Sequence, residues 1–295
     1  MPHEEWPSLR YDEWKDTYLT LHLWSQVVGK VALALAPPIN HSWGVAMQVT
    51  PRGLMTRALK YGDRTFTMEF DFIDHVLLFR ASDGAVRSIV LAPRTVADFY
   101  ADVMRTLREM ALPVKIWPVS TEMATAIRID TDVEHHIYVP EQANRFWRIL
   151  VNVERVLSEA RCSFIGKASP AHFFWGGFDL ALSRFSGRPA PPRDGPVFMQ
   201  EAYSQEVISH GFWPGSMAVL EASFYAYAVP EPDGLKDARV QPEAAYYHRE
   251  MGEFILPYEA VRTSADPAAA IRQFVDTTYT RAATLGKWDR AALER

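Results

Sequence analysis

One order of landmarks occurs twice in this chain, and it narrows the available folds more than any other feature. The first half holds VVGKVALALAPPINHSWGV and the second FIGKASPAHFFWGGF. Both run Gly-Lys, proline, histidine, Trp-Gly, which pairs Gly29-Lys30 with Gly166-Lys167, His41 with His172, and Trp43-Gly44 with Trp175-Gly176. Recurrence in a fixed order is the mark of a repeated supersecondary unit. A helix-like stretch containing tryptophan precedes each block, EWKDTYLTLHLW and then RFWRILVNVERVL. Gly29 and Gly166 are expected to cap the C-termini of those helices.

Strand-like runs follow each block. In the first half these are VAMQVT, TFTMEFDF, HVLLFRA and VRSIVLA, with the turn dipeptide Asp83-Gly84 between the last two. In the second half they are FDLALSRF, QEVISHGFW, ASFYAYAV and GEFILPY, with Asp233-Gly234 as a matching turn. β-Branching, alternation and the Asp-Gly signal favour antiparallel hairpins. Each half closes on a helix. The face Val96, Phe99, Tyr100, Val103, Leu107, Met110 has helical spacing, and Ile271, Phe274, Val275, Thr278, Ala282, Leu285 repeats its intervals. Thr95 and Asp266, the latter followed by proline, are the expected N-caps.

The predicted class is therefore α+β, two pseudo-repeated α-β4-α halves whose antiparallel sheets are covered by helices. The halves span 1–118 and 140–295, with a connector over 119–139, and together are expected to form one compact unit. Trp-Gly pairs lie 132 residues apart, Asp-Gly pairs 150 and closing helices 175, so the second half carries about 18 and then about 25 extra residues. These insertions fall near 186–200, which contains SGRPAPPRDGP, and near 231–251. Long loops confined to one half of a compact domain are commonly functional.

Composition removes some function classes. Net charge is −5 and the arginines are scattered, so no basic footprint for nucleic acid is present. The most apolar early run is broken by Lys30 and Pro37-Pro38, far short of the roughly 20 residues a membrane span requires. A polar, acidic N-terminus carries no signal-peptide pattern, and the single Cys162 fits a reducing compartment, so a soluble, cytoplasmic chain is expected. Monomer and homodimer remain equally open.

Candidate site residues come from residues that sit awkwardly in their element. Read as one strand, HFFWGGFDLALSRFSGR puts His172, Phe174 and Arg184 on one face and Trp175, Asp179 and Ser183 on the other. Asp179 inside an apolar run is costly to bury without a partner, and Arg184 points the wrong way to be that partner. Asp179 is the leading acid–base candidate, with His172 and Arg184 beside it, and Asp71, Asp74 and Glu206 are weaker ones. Gly176-Gly177 weakens a strand unless something approaches the bare backbone closely, or marks a bulge. Trp175, Trp43, His41, Gly176 and Tyr227 are the expected ligand-binding residues, and Tyr225 is a further candidate for the pocket mouth. Of the histidines, His22, His41, His75, His172 and His210 lie in motif-dense segments, whereas His3, His135, His136 and His248 lie in expected loops. None has metal-ligand spacing, and no nucleophile elbow, Walker loop, dinucleotide fingerprint or CxxC is present.

The segments TLHLWSQVVGK (20–30), NHSWGV (40–45), EFDFIDH (69–75), HFFWGGFDLALSRFSGRPAPP (172–192) and GEFILPYEAVR (252–262) resemble a bacterial domain family of unknown function, number 5996. The resemblance runs nearly the full chain and implies no activity, substrate or cofactor. The residues themselves favour a small-molecule binding protein or enzyme, with an aromatic-lined pocket between the halves under the insertions. The alternatives are a protein-interaction or assembly module, and a metal-dependent enzyme using His41 and His172.

Overall fold

From Thr20 to Ala32 every residue of helix α1 (Tyr11–Leu35) is buried. The helix contains no proline and stops before Pro37-Pro38, which cannot continue it. The computed structural model describes residues 5–215 and 219–295, so His3 lies outside the described residues. A helix apolar all round belongs in a core, and α1 runs through the middle of this one. Trp24 stacks on Phe99 at 4.6 Å between ring centroids, Trp14 meets Phe146 at 5.1 Å, and Tyr18 meets Phe178 at 5.3 Å.

The first sheet contains β1 (Gln48–Val49), β2 (Gly53–Met55), β3 (Leu59–Tyr61), β4 (Arg64–Asp71), β5 (Val76–Ala81) and β6 (Val86–Val90). Its order is β1-β2-β4-β5-β6, with β3 pairing to β4, and all pairs are antiparallel. Helix α2 (Val96–Glu109) follows, then a connector and α3 (Pro140–Arg161). The second sheet contains β7 (His172–Phe174), β8 (Asp179–Pro189), β9 (Gln205–Trp213), β10 (Ser223–Val229), β11 (Tyr246–His248) and β12 (Glu253–Pro257). It is antiparallel with order β11-β12-β10-β9-β8-β7: β7 to β10 pair in sequence, while β12 inserts between β10 and β11. A short helix α4 (Val197–Ala202) lies between β8 and β9, and α5 (Tyr258–Arg262), α6 (Pro267–Leu285) and α7 (Arg290–Leu293) close the chain. The edges of the two sheets meet where Met47 and Phe173 exchange N–H···O bonds of 2.8 Å in both directions.

The α+β class and the antiparallel pairing are as expected, and each long strand run becomes a strand. Thr95 and Asp266 cap as expected, accepting from the backbone N–H of Asp98 and Ala269. Each sheet has six strands rather than four, because β2, β3, β7 and β11 are three-residue strands too short to show alternation. The last is built from the insertion near 231–251. Leu285 ends the closing helix exposed instead of completing its buried face.

The motif-level register of the repeat does not hold. Trp43-Gly44 precede β1, whereas Trp175-Gly176 lie in the turn after β7. Gly29 is in the middle of α1 and Gly166 is in a loop beyond α3, so neither caps a helix. Each glycine instead makes room: a Cβ on Gly29 would fall inside the Trp175 indole, and one on Gly166 against Leu293. HFFWGGFDLALSRFSGR is likewise a hairpin, not one strand. The turn at 175–178 resets the alternation, so His172 on β7 sits opposite Ala181 on β8, and Phe174 opposite Asp179.

In a helix interior, Gly to Ala is normally favourable by about 1 kcal/mol. At Gly29 the ring contact dominates, and Gly29→Ala is expected to destabilise the fold by about 1–3 kcal/mol in urea denaturation. Combined with Trp175→Ala the loss should be smaller than the sum of the two, since both act on one contact.

Candidate functional site

The two faces of the second sheet differ in kind. Leu180, Leu182 and Arg184 of β8, with Ile208, His210 and Phe212 of β9, are buried on the face covered by α3, α5 and α6. The alternate residues Asp179, Ala181, Ser183 and Phe185, with Val207 and Ser209 and with Tyr225 and Tyr227 of β10, face the other way. There they line a pocket of about 200 Å³ together with His41, Ser42, Trp43, Glu122, Phe174, Phe198, Met199, Ala202 and Tyr203. The proline-rich insertion supplies its roof, since α4 and Tyr203 fold back over the sheet.

Asp179 stands at the floor of this pocket and accepts a hydrogen bond from Tyr225 Oη, two strands away. The intervening residue is Gly211 of β9, paired with Tyr225 on one side and Ala181 on the other. A side chain at Gly211 would collide with the Tyr225 phenol, so this glycine lets the ring cross β9. Tyr227 stacks on Tyr225 at 5.9 Å and 17°, and its hydroxyl is 3.0 Å from that of Tyr203. Ser183 and Ser209 hydroxyls, 3.1 Å apart, complete a polar track along the floor.

A second carboxyl group faces Asp179 from the connector. Gln26 of α1 grips the backbone of Thr121 in both directions, donating to its carbonyl at 2.9 Å and accepting from its N–H at 2.8 Å. The next residue, Glu122, thereby places its carboxylate against Gly176, where a Cβ would overlap Oε1. A Cβ on Gly177 would lie 2.8 Å from Asp179 Oδ1 and 3.6 Å from Glu122 Oε2. The Gly-Gly pair is thus the bare floor on which both carboxylates stand.

These groups shift one another's titration. Burial raises Asp179 to about 7, with the negative charge of Glu122 adding to it, while the Tyr225 hydrogen bond opposes the rise. Burial also raises Glu122. Glu253 of β12 is pushed up to about 7 by burial and by the charge on Asp179. Three acids in one apolar neighbourhood cannot all ionise cheaply.

His41 ties the roof down. Its Nδ1–H donates to Ala202 O at the end of α4, 3.1 Å away, and its Nε2 accepts from Lys167 Nζ at 2.7 Å. Burial and the charge on Lys167 lower its pKa, which keeps the ring neutral. Its backbone has φ 58°, as does that of Ser42, while Glu122 has φ 54° and Phe178, just before Asp179, has φ 57°. Left-handed backbone at non-glycine residues costs on the order of 1–3 kcal/mol each and concentrates at functional sites.

Of the residues expected from sequence, Asp179, His41, Trp43 and Tyr227 share this pocket, and Trp175 and Gly176 line an adjoining one. His172 is not in either wall. It is buried edge-to-face against Phe174 and Trp43, its Nε2 has no hydrogen-bond partner among the described residues, and burial followed by the charge on Arg57 lowers it to about 4. Arg184 is on the opposite face, 2 % exposed, donating to Ala160 O and lying 4.7 Å over the Tyr279 ring. Asp71 and Asp74 are tied to Arg52, and Glu206 to Arg188. The other histidines of the motif-dense segments are engaged separately: His22 donates to Gly176 O, His75 pairs with Tyr138 and His210 donates to Thr278. Among the described residues no group of three or more His, Cys, Asp or Glu is placed to hold a metal. Because both ring nitrogens of His41 are engaged, a His41/His172 metal pair has no geometric support.

Glu122, Gln26, Gly211 and Tyr203 were not singled out from the sequence. Gly211 carried a usable signal, a lone glycine inside the strand QEVISHGFW. The others carried none, since their roles depend on contacts between segments far apart in the chain. No helix among the described residues is long and apolar enough to cross a membrane. A family model described as a family of unknown function (DUF5996) matches residues 6–295. No curated protein and no solved structure matches the chain.

Two titration outcomes follow. An aspartate in an unfolded chain titrates near 3.9, so the folded chain holds an extra proton between there and about 7. Stability is then full below about 4 and falls as pH rises through about 7. Asp179→Asn should flatten that decline in urea denaturation between pH 4 and 8, and an unchanged slope would show that Asp179 titrates normally. Tyr225→Phe removes the opposing hydrogen bond and should move Asp179 further upward, read by carboxyl ¹³C NMR.

Proposed function

The chain belongs to DUF5996, a family of unknown function, and we propose from the site alone that it performs acid–base chemistry on a small organic molecule held over the second sheet. The observation that carries this reading is the Tyr225–Asp179 hydrogen bond made across Gly211 at the floor of the pocket. A carboxyl group with a pKa near the working pH exchanges protons efficiently in both directions. Asp179 at about 7 meets that condition, and Tyr225 fixes its orientation through one oxygen while Oδ1 remains on the side of Gly177 and Glu122. Glu122 is a second carboxyl group on the same floor, so one acid and one base are available in the same pocket. Trp43, Phe174, Tyr203 and Tyr227 supply flat apolar walls with hydroxyl tips, the composition of a site for a compact, partly polar molecule.

Other grooves have less to offer chemistry. The cleft of about 470 Å³ between residues 8–12 and α5 is wider, yet its Arg10 is paired with Asp12 and its Arg262 with Glu259. Charges already matched by neighbours have little differential interaction left for a ligand. In the tyrosine-lined pocket the carboxyl groups face each other instead.

Ala181 is the smallest side chain on the floor, so Ala181→Leu takes up pocket volume while leaving Asp179 and Glu122 in the chain. Ligand-observed NMR screening of a small polar fragment library should yield hits on the native chain that Ala181→Leu abolishes. Asp179→Asn should fold and remove the pH dependence of those hits, whose midpoint is expected near 7. Hits that bind Ala181→Leu unchanged would place ligand binding elsewhere.

A further inference from the structure

Beside the tyrosine-lined pocket lies a second chamber of about 170 Å³, bordered by Lys30, Leu33, Val45, Phe174, Trp175 and Phe198. Its walls are mostly apolar, with Lys30, Ser42, Thr121 and Glu122 as the polar members. Lys30, only 8 % exposed, follows Gly29 on α1, and its Nζ lies 5.8 Å from the centroid of the Trp175 ring. It makes no hydrogen bond or ion pair with any described residue, whereas the comparably placed Lys167 has both His41 and Gln205. The side chain is largely covered while its ammonium head is left unpaired, which leaves that head available to an anion. Burial draws its pKa down.

The chamber is built around Lys30 with care. Gly29 admits the Trp175 indole against the helix, and the indole N–H is anchored on Val45 O at 3.1 Å. The ring therefore presents a fixed flat wall next to the ammonium. A single cation, with no arginine or second lysine in the lining, matches a monoanion better than a phosphate dianion. Ser42, Glu122, Phe174 and Phe198 belong to the walls of both chambers, so one molecule can reach from Lys30 toward Asp179.

We infer that this chamber is the anchoring subsite for the carboxylate of a small carboxylic acid, with the carboxylate on Lys30 Nζ and its apolar body against Trp175 and Phe174. The inference rests on the reading of the tyrosine-lined pocket as the ligand site and adds to it the class of ligand. Glu122 faces the reacting end of that ligand, and Lys30 faces the anchoring end. When such a ligand is bound, the ammonium of Lys30 is matched by the ligand's carboxylate.

The test compares 3-phenylpropionate with 3-phenylpropionamide by calorimetry and tryptophan fluorescence on the full chain, with melting curves confirming that each variant folds. The native chain should bind the acid at least ten-fold more tightly than the amide. Lys30→Met should abolish that preference while still binding the amide, and Lys30→Arg should restore it at least in part. Equal binding of the two probes, no binding of either, or a preference surviving in Lys30→Met would overturn the inference. Ala181→Leu separates this from the first reading. A Lys30-dependent acid preference that Ala181→Leu leaves intact supports the anion subsite and removes the neighbouring pocket from the ligand's path. Equal acid and amide binding that Ala181→Leu abolishes has the reverse meaning.

Discussion

The Trp175 indole pressed into the notch at Gly29 is the contact on which the rest of this structure depends. It joins the stretch of α1 that is buried on all sides, residues 20–32, to the turn that carries the candidate site. Around it the same turn is held at other points, with Trp175 Nε1–H on Val45 O, His22 on Gly176 O, and Phe178 stacked on Phe146. A hairpin turn held so tightly has little freedom left. Gly176 and Gly177 become a rigid floor, and Asp179 enters β8 at a set position opposite Phe174. Close packing of this kind transmits position across the molecule, because neighbouring side chains leave no slack.

That rigidity makes the electrostatics of the pocket possible. The charge on Glu122 raises the cost of ionising Asp179, and the charge on Asp179 does the same to Glu253. Asp179 and Glu122 are held where they are by contacts in and beside the pocket: Gln26 on Thr121 and Tyr225 on Asp179 across Gly211, with His41 fixing the end of α4 above them. The left-handed backbone at His41, Ser42 and Glu122 belongs to the same pattern. Such strain persists where surrounding contacts over-determine the local conformation, and it is characteristic of sites shaped for a task rather than for stability.

The sheet also separates two kinds of polar burial. Arg184 and Asp179 lie on the same strand, five residues apart, and alternation sends them to opposite faces. Arg184 becomes a structural side chain, its guanidinium over Tyr279 and its bond on the end of α3. Asp179 faces the pocket and keeps its proton near neutral pH. The parity argument that denied Asp179 an Arg184 partner therefore holds. Its actual partner, Tyr225, is outside the reach of any local rule because β9 lies between them.

Much of the architecture was written locally and could be read there. Strand alternation, the Asp83-Gly84 turn, the Thr95 and Asp266 caps and the closing helix faces depend on residues within a few positions of one another. So did the oddity of Asp179 inside an apolar run, and the suspicion that Gly176-Gly177 admits a close neighbour. Identity of letters misled where it was used as a measure of place. The paired Gly-Lys and Trp-Gly motifs occupy different topological positions, because a glycine that makes room for a neighbouring side chain looks the same in sequence whether it lies in a helix or a loop. Local propensity and periodicity determined the elements, their order and the class of the fold. Only the tertiary structure decided that Glu122, Tyr225 and Lys30 belong with Asp179 and Trp175, since those contacts join residues from different elements, and only chain packing sets such distances.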